Sequence, residues 1–432
     1  MTIPELYSLF QKYPNISTDS RNCPADAIFF ALKGERFDGN DYLLEVLEKG
    51  VAYAVGDRPN LPKHDRIIQV DNALQTLQDL ANYHRNQMKA KIIAITGTNG
   101  KTTTKELTAA ALSTNYKILY TEGNLNNHIG VPLTLLQLTP EHEYAVIEMG
   151  ANHLGEIIDL CTIAEPDYGL ITNVGRAHLE GFGSFETIIR TKTELYRYIY
   201  AYGEIIFGNA DNPHLQSFYN RGNTILYSTK NEDTYIKGRL KQATPFLSLD
   251  WTKENTSHFL NTHLVGAYNL ENVLAAISIS SYLNVPVEKI NQALADYIPS
   301  NNRSQRTKTT NNELIIDAYN ANPSSMRAAL ENFSSCQETH PKALILGEMN
   351  ELGKYSQEEH QAIVDYLKSI SISNVYLIGK NFLNLSGLLP EWKIFPDTKD
   401  LLESLKNAPI KNHVILIKGS RGNRLEQVIE FL

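Results

Sequence analysis

Cysteine is scarce in this chain. Its 432 residues include three cysteines, Cys23, Cys161 and Cys336, and no two of them have the spacing of metal ligands. An odd number of widely separated thiols argues against both a disulfide framework and a zinc site. The cysteine content therefore predicts a protein of a reducing compartment, the cytoplasm.

Long apolar runs and an excess of positive charge are also missing. No run approaches the about 18 apolar residues that a membrane span requires, and the N-terminal MTIPELYSLFQKYP lacks a basic start followed by an apolar stretch. We therefore expect neither a membrane span nor a signal peptide. Lys and Arg number 40 against 48 Asp and Glu, a net charge of −8, which argues against a surface that coats nucleic acid.

The chain has the length and composition of several globular domains. Hydrophobic residues make up 42% and charged residues 20%, enough for more than one core. Residues 1–85 predict a small α/β domain. From residue 86 to 300, strands and helices alternate as in a doubly wound, mostly parallel sheet of the P-loop type. A polar stretch at 300–312 predicts a linker or hairpin, and a third, Rossmann-like α/β domain follows at 301–432.

The segment IIAITGTNGKTTTKE at 92–106 predicts a phosphate-binding loop. A buried strand leads into Gly97-Thr98-Asn99-Gly100-Lys101-Thr102-Thr103 and then into a helix. The glycines let backbone N–H groups approach phosphate oxygens, and the helix N-terminus adds partial positive charge. Lys101 can reach the terminal phosphates of a nucleotide, and a threonine hydroxyl can bind Mg²⁺. Two residues separate the glycines, against four in the standard P-loop, so an ordinary strand–helix turn stays open as the alternative.

The loop TGTNGKTTT resembles that of the Mur ligases and of folylpolyglutamate synthase, which are ATP-dependent, amide-forming enzymes. Further motifs extend the resemblance, specifically to the MurF type, along most of the chain: TDSR (18–21), FFALKGERFDGND (29–41), GNLNNHIGVPLTLL (123–136), VIEMGANHLGEI (146–157), NVGRAHLEGFGSFETIIRTK (173–192), DAYNANPSSM (317–326) and IKGSRGNRLEQV (417–428).

The resemblance implies a three-domain, monomeric ligase of peptidoglycan precursor synthesis. It would use ATP and Mg²⁺ to join UDP-N-acetylmuramoyl-tripeptide to D-alanyl-D-alanine through an acyl phosphate. The first domain would bind the uridine nucleotide, with Ser20 and Arg21 as candidates. Because ATP and the acceptor amine would lie on different domains, the stretch 300–312 is expected to act as a hinge.

The resemblance also implies a metal site formed by Thr102, Glu148, His178 and Lys192. Glu148 ends an apolar strand, where ligands gather in open parallel sheets; from position alone it could equally be a solvated carboxylate. A lone histidine is more often structural than a ligand. From its sequence context alone, Lys192 is expected to be a lysine on a helix surface. The matching family lysine, in contrast, is carbamylated and thereby offers oxygen atoms to the metal. Lys101, His178 and Lys192 are the expected catalytic residues.

Residues for ATP and substrate follow from the same motifs. Asn269, at a helix start, either caps that helix or, as the resemblance implies, holds the adenine edge together with Asn272. The resemblance further implies ATP contacts from Arg306 and Asp317 of the third domain. It also implies substrate contacts from Asn126, Asn127, Lys418 and Arg421. For Lys418 and Arg421, an ordinary surface charge is the alternative.

Two rival functions remain. The first is the activity of another superfamily member that uses a different amino acceptor. Those relatives resemble one another around a histidine-containing motif at the place of DAYNANP, and no histidine occurs between His263 and His340 here. A non-catalytic nucleotide-binding scaffold is disfavoured by the intact set of loop and metal-site residues. Whether the tripeptide carries lysine or diaminopimelate depends on pocket shape and stays open.

Overall fold

The computed structural model describes residues 1–35, 37–220, 223–300, 302–385, 387 and 392–432. Arg36 of the second motif and Asn301 of the polar stretch lie outside the described residues. Within these ranges, three sheets of four, nine and six strands follow one another. The expected three-domain α/β fold is thereby confirmed. The domain boundaries themselves stay a prediction, because helix 73–87 packs against helices on both sides of the first boundary.

The first sheet consists of four parallel strands in the order of the sequence. Its elements are α1 (Ile3–Lys12), β1 (Ile16–Ser17), β2 (Ile28–Phe30), a 3-10 helix (Gly39–Tyr42), α2 (Leu43–Glu48), β3 (Tyr53–Gly56), β4 (Ile67–Gln69) and α3 (Ala73–Gln87). The side chain of Asn72 caps α3 by accepting a hydrogen bond from the Gln75 N–H, 2.9 Å away.

The second sheet is long and mostly parallel. Its elements are β5 (Lys91–Thr96), α4 (Lys101–Leu112), β6 (Ile118–Tyr120), α5 (Gly130–Leu135), β7 (Tyr144–Glu148), α6 (Glu156–Ala164), β8 (Tyr168–Ile171), α7 (Leu179–Phe182), α8 (Phe185–Lys192), α9 (Glu194–Tyr202), β9 (Ile205–Asn209), α10 (Gln216–Tyr219), β10 (Thr224–Ser228), β11 (Ile236–Gln242), β12 (Ser248–Lys253), β13 (Thr256–Asn261), a 3-10 helix (Ala267–Asn269), α11 (Leu270–Tyr282) and α12 (Val287–Asp296).

This sheet has the order β13-β12-β11-β10-β9-β8-β5-β7-β6, and β11, β12 and β13 pair antiparallel. Both its faces are covered. On β5, Ile92 and Ala94 belong to one hydrophobic core, while Ile93 and Ile95 belong to the core on the other side. A strand that is buried on both faces explains the continuous apolar run IIAI.

Helices α8 and α9 follow one another with a single residue, Thr193, between them. The Thr193 hydroxyl at the junction donates to the carbonyl oxygens of Ile189 and Arg190, at 2.8 and 3.1 Å. Such back-bonding competes with regular helix geometry. The break leaves Lys192 as the last residue of α8.

The third sheet has six strands in the order β14-β15-β19-β16-β17-β18, all parallel except β14. The elements of this part are β14 (Gln305–Lys308), β15 (Glu313–Asp317), α13 (Pro323–Ser335), β16 (Lys342–Gly347), a 3-10 helix (Gly353–Tyr355), α14 (Ser356–Ser369), β17 (Asn374–Ile378), α15 (Lys380–Leu383), β18 (Lys393–Phe395), α16 (Thr398–Asn407), β19 (Val414–Lys418) and two 3-10 helices (Arg421–Asn423 and Leu425–Phe431).

The polar stretch at 300–312 contains β14, which forms a hairpin with β15. Before it, Asn302 and Ser304 have left-handed backbone conformations, with φ of +53° and +48°. The hairpin prediction is confirmed, and the hinge role stays a prediction. No helix within the described ranges combines the length and apolarity needed to cross a membrane.

Candidate functional site

A cavity of about 1200 Å³ lies between the second and third sheets. It collects most of the residues singled out from the sequence, from both domains. The predicted residues that line it are Thr98, Asn99, Gly100, Lys101, Thr102, Thr103, Asn126, Asn127, Glu148, His178, Asn269, Asn272, Asp317, Lys418 and Arg421. Five predicted residues are not part of this lining: Ser20, Arg21, Gly97, Lys192 and Arg306.

The phosphate loop joins β5 to α4 with a backbone that requires glycine at two positions. Gly97 and Gly100 have φ of +139° and +79°. A Cβ atom would lie 2.0 Å from the Thr172 hydroxyl oxygen at Gly97, and 2.3 Å from the Asn272 side-chain oxygen at Gly100. Helix α4 then begins directly at Lys101. The first turn of this helix therefore borders the cavity, in the arrangement that favours anions.

Lys101 folds back over the loop. Its ammonium donates to the carbonyl oxygens of Gly97 and Thr98, at 3.0 and 3.2 Å. Burial lowers the pKa of Lys101, and the carboxylate of Glu148 partly offsets this effect. The charge of Arg303 acts on Lys101 as well, so the cavity brings together cations from two domains.

Glu148 is the last residue of β7 and is buried. One carboxylate oxygen accepts from the Asn126 amide at 2.7 Å, and the backbone N–H donates to the Thr121 hydroxyl at 2.9 Å. The other oxygen, Oε2, is buried and has no hydrogen-bond partner among the described residues. A buried carboxylate oxygen is costly to leave without a partner, so this atom is suited to a cation.

His178 sits in a left-handed conformation, φ +50°, just before α7. Its Nδ1 lies against the carboxylate of Glu351 from the third domain, which lowers the pKa of Glu351. In the part of the chain that is described, no three His, Cys, Asp or Glu side chains group closely enough to hold a metal ion. A metal site here would therefore need other donors as well.

Lys192 is buried, with 2% of its surface exposed. Its ammonium lies 3.4 Å from the carbonyl oxygen of Ala151, a residue of the cavity wall, and 5.5 Å from the centre of the Phe182 ring. Burial, reinforced by the positive charge of Lys101, lowers the pKa of Lys192 to about 7. The alternative of a helix-surface lysine is wrong.

Asn269 and Asn272 form a buried pair at the start of α11. The Asn269 amide nitrogen donates to the Val265 carbonyl at 2.8 Å, and its oxygen accepts from Asn272, also at 2.8 Å. The Asn272 oxygen accepts from the Thr104 hydroxyl at 3.2 Å. The capping alternative is wrong, because the Asn269 side chain makes no capping hydrogen bond.

Lys418 and Asp317 form an ion pair at the carboxyl ends of β19 and β15. Their charged atoms are 2.5 Å apart, and 2% of the Lys418 side chain is exposed. The alternative of a surface charge is therefore wrong for Lys418. Arg421 is exposed at the cavity and donates to the Tyr319 hydroxyl at 3.3 Å.

The structure does not bring Arg306 to the cavity, and Arg303 occupies that position instead. Arg306 binds Glu313 and Glu338 at 2.6 and 3.0 Å. The reason is the direction of β14. Because β14 runs antiparallel to β15, its first residues lie at the carboxyl edge of the sheet, and Arg306 already pairs with Ile315 inside it.

Arg303 stacks on the ring of Tyr319, with the guanidinium carbon 3.8 Å from the ring centre. Its Nε is buried and has no hydrogen-bond partner within the described chain. Sequence reasoning missed Arg303, although two arginines three residues apart were visible in SNNRSQRTK. It also missed Glu351, for which the position just after the apolar strand KALILG was the available signal.

Ser20 and Arg21 lie in the first domain, away from this cavity. Arg21 pairs with Asp19 at 2.9 Å and its side chain is 86% exposed. The Ser20 carbonyl accepts from the Lys49 ammonium at 3.1 Å. Their assignment to the uridine nucleotide stays a prediction.

Comparison with known families and proteins covers nearly the whole chain. Three models match in succession: "Mur ligase family, catalytic domain" at 12–85, "Mur ligase middle domain" at 95–280 and "Mur ligase, glutamate ligase domain" at 302–421. The chain is 34% identical to the UDP-N-acetylmuramoyl-tripeptide–D-alanyl-D-alanine ligase of Bacillus subtilis, over 96% of this chain and 92% of the relative.

Solved structures give the same result. A crystal structure of MurF from Acinetobacter baumannii superposes with a TM-score of 0.88 at 30% identity, covering 99% of this chain and 98% of the other. MurF ligase from Thermotoga maritima in complex with ADP has a TM-score of 0.84 at 26% identity and covers 96% of each chain. The latter is a structure of a similar protein with a bound adenine nucleotide.

Proposed function

Because this chain belongs to the Mur ligase family, we propose that it joins D-alanyl-D-alanine to the terminal carboxylate of UDP-N-acetylmuramoyl-tripeptide at the expense of ATP. The observation that carries the proposal is a phosphate loop with the lysine and glycines the chemistry requires, opening onto a cavity that the third domain closes. Relatives with this activity in their names match over nearly their full length. The function places the protein in cytoplasmic peptidoglycan precursor synthesis.

The reaction has to activate a carboxylate, which at neutral pH offers an amine no adequate leaving group. Transfer of the γ-phosphoryl group of ATP to a carboxylate oxygen yields ADP and an acyl phosphate. The amine of the dipeptide then attacks the carbonyl carbon, loses its proton and expels inorganic phosphate. Lys101 and the N–H groups at the start of α4 would neutralise the charge on the transferring group.

The residues at the Glu148 end of the cavity fit a magnesium ion. Glu148 has a buried oxygen without a partner among the described residues, and Thr102 is buried in the first turn of α4. Oxygen donors of this kind suit a hard cation. We assign Thr102, Glu148 and His178 to hold Mg²⁺, which when bound would polarise the phosphate oxygens of ATP.

We assign a carbamate to Lys192. CO₂ reacts with a neutral amine, and the burial that lowers the pKa of Lys192 to about 7 favours that form. A plain ammonium cannot ligate a cation, whereas a carbamate offers two oxygens. Its place behind Ala151 at the cavity wall supports a role beside the metal residues.

For the nucleotide, Asn269 and Asn272 are assigned to adenine and Asp317 to the ribose. Arg303 takes the ATP-contacting role that was expected of Arg306, because it lines the cavity and its buried Nε has no hydrogen-bond partner among the described residues. Lys418 is already neutralised by Asp317, so Arg421 is the stronger candidate for a substrate carboxylate. Asn126 and Asn127 remain assigned to the substrate peptide.

The test is acceptor-dependent phosphate release combined with isotope transfer. Purified protein should release phosphate from ATP when both UDP-N-acetylmuramoyl-tripeptide and D-alanyl-D-alanine are present, with the lysine and diaminopimelate tripeptides compared side by side. With the tripeptide carboxylate labelled by heavy oxygen, the released phosphate should carry one of those labels. Unlabelled phosphate, or release that does not need the dipeptide, would contradict the proposal.

A further inference from the structure

Asn99 of the phosphate loop contacts the third domain through its side chain. Its amide nitrogen donates to the Ser324 hydroxyl at 2.8 Å, and its amide oxygen accepts from Asn322 at 2.8 Å. The Ser324 hydroxyl donates in turn to the Asn322 oxygen at 2.9 Å. These three side chains form a closed ring of hydrogen bonds across the two domains, here named the Asn triangle.

The backbone of Asn99 is held by the central domain. Its N–H donates to the Asn173 side chain at 3.0 Å, and its carbonyl accepts from Thr172 at 2.7 Å and from Asn173 at 3.1 Å. The two parts of this residue therefore belong to different domains. A displacement of either domain has to break the Asn triangle or move the phosphate loop.

On the other side, Asn322 is the N-cap of α13. Its side-chain oxygen accepts from the Ser325 N–H at 2.9 Å, and the buried face of α13 belongs to the hydrophobic core. The fit is close, because a Cβ at Gly175 would lie 3.0 Å from the Ser324 hydroxyl oxygen. The Asn triangle thus connects the loop to a whole helix of the third domain.

We propose that Asn322 is a positioning residue, which through Asn99 and Ser324 sets the third-domain wall against the phosphate loop in the reactive arrangement. The inference rests on the proposed ligase function. The hydrogen bonds exist only when the two domains are together, so they stabilise the closed state and not the nucleotide complex of an open one. Their loss should therefore lower kcat and leave KM for ATP nearly unchanged.

Two substitutions isolate the Asn triangle. Asn322→Ser keeps a good N-cap for α13 but is too short to reach Asn99, and Ser324→Ala removes the bridging hydroxyl. Each should lower kcat about tenfold, and the double variant should lose little more than either single one, because both break the same ring. The matched controls are Asn72→Ser, the same change at the cap of α3, and Ser335→Ala in the last turn of α13, which should keep parental kcat.

Small-angle scattering supplies a readout that does not depend on turnover. The parent protein with an unreactive ATP analogue and UDP-N-acetylmuramoyl-tripeptide should become more compact, and Asn322→Ser and Ser324→Ala should compact less. If the parent compacts with these ligands but releases no acceptor-dependent phosphate, the proposed reaction fails, and the scattering comparison of parent and variants still decides the inference. Parental kcat with parental compaction in both variants would overturn it, as would a raised KM for ATP at unchanged kcat.

Discussion

The two walls of the cavity are built in different ways. The central-domain wall contains one continuous motif, the phosphate loop 97–103, whose shape is fixed by its own glycines and the start of α4; Asn126, Glu148, His178 and Asn269 complete this wall from other segments. The third-domain wall is assembled from segments that are far apart in the chain, before β14, after β15 and after β19. The chemistry of a continuous motif can be predicted from its sequence, whereas the residues of an assembled wall are brought together by strand direction and packing.

The largest expected effect tests the continuous wall. Lys101→Ala removes the charge assigned to the transferring phosphoryl group, so turnover should fall by about 10³-fold or more. Binding of UDP-N-acetylmuramoyl-tripeptide, measured by calorimetry, should be largely retained, because the nucleotide part is assigned to residues 1–85. Lys117→Ala, at an exposed lysine of the same domain, is the control. Near-parental turnover in folded Lys101→Ala would remove the loop from the reaction.

The second prediction concerns Lys192, which is buried behind the cavity wall. On the carbamate assignment, Lys192→Ala and Lys192→Arg should both lose about 10²- to 10³-fold in kcat, because neither can present carbamate oxygens. A small carboxylic acid added to the assay should partly restore Lys192→Ala and leave Lys192→Arg inactive, since the guanidinium fills the space. Substantial turnover by Lys192→Arg, or no rescue by any small acid, would count against the carbamate.

The third prediction compares the two arginines of the assembled wall. Arg303→Ala should lower kcat about 10- to 10²-fold with little change in the free energy of unfolding, because Arg303 faces the cavity. Arg306→Ala should leave most of the activity but destabilise the fold by about 2 kcal/mol, since the largely buried side chain of Glu338 loses its arginine partner and Glu313 keeps only Lys308. Steady-state kinetics and denaturant unfolding of both variants test this prediction. The opposite pattern would restore the ATP-contacting role that was expected of Arg306.

The same contrast explains which parts of the fold and of the site could be predicted from the sequence. The phosphate loop, the buried strand before it and the three α/β units could be predicted, because apolar periodicity and glycine positions are local. Arg303 could not be chosen over Arg306 without knowing that β14 is antiparallel. The burial of Lys192 depends on packing after the helix break at Thr193, and the Asn99–Asn322 hydrogen bond joins residues 223 positions apart.

The smallest expected effect concerns the support of the third-domain wall in acid. His360 is fully buried below the segment that carries Glu351, and its Nε2 accepts from the Met349 N–H at 3.0 Å while Nδ1 contacts the Ser356 carbonyl at 2.7 Å. Burial lowers the pKa of His360 below its ordinary value, and the nearby charge of Glu348 opposes this in part. A protonated ring would have no lone pair left for Met349.

Because the folded-state pKa lies below that of the unfolded chain, about 6.5, His360 stabilises the fold above this pH, and that stability is lost as the pH falls below it. Thermal unfolding of the parent should therefore shift to lower temperature between about pH 7.5 and pH 5.5. In His360→Gln, an amide oxygen can accept from Met349 at either pH, so the shift should be smaller even if the variant is less stable throughout. Equal shifts in both proteins would show that acid acts elsewhere and that the assembled wall does not depend on this ring.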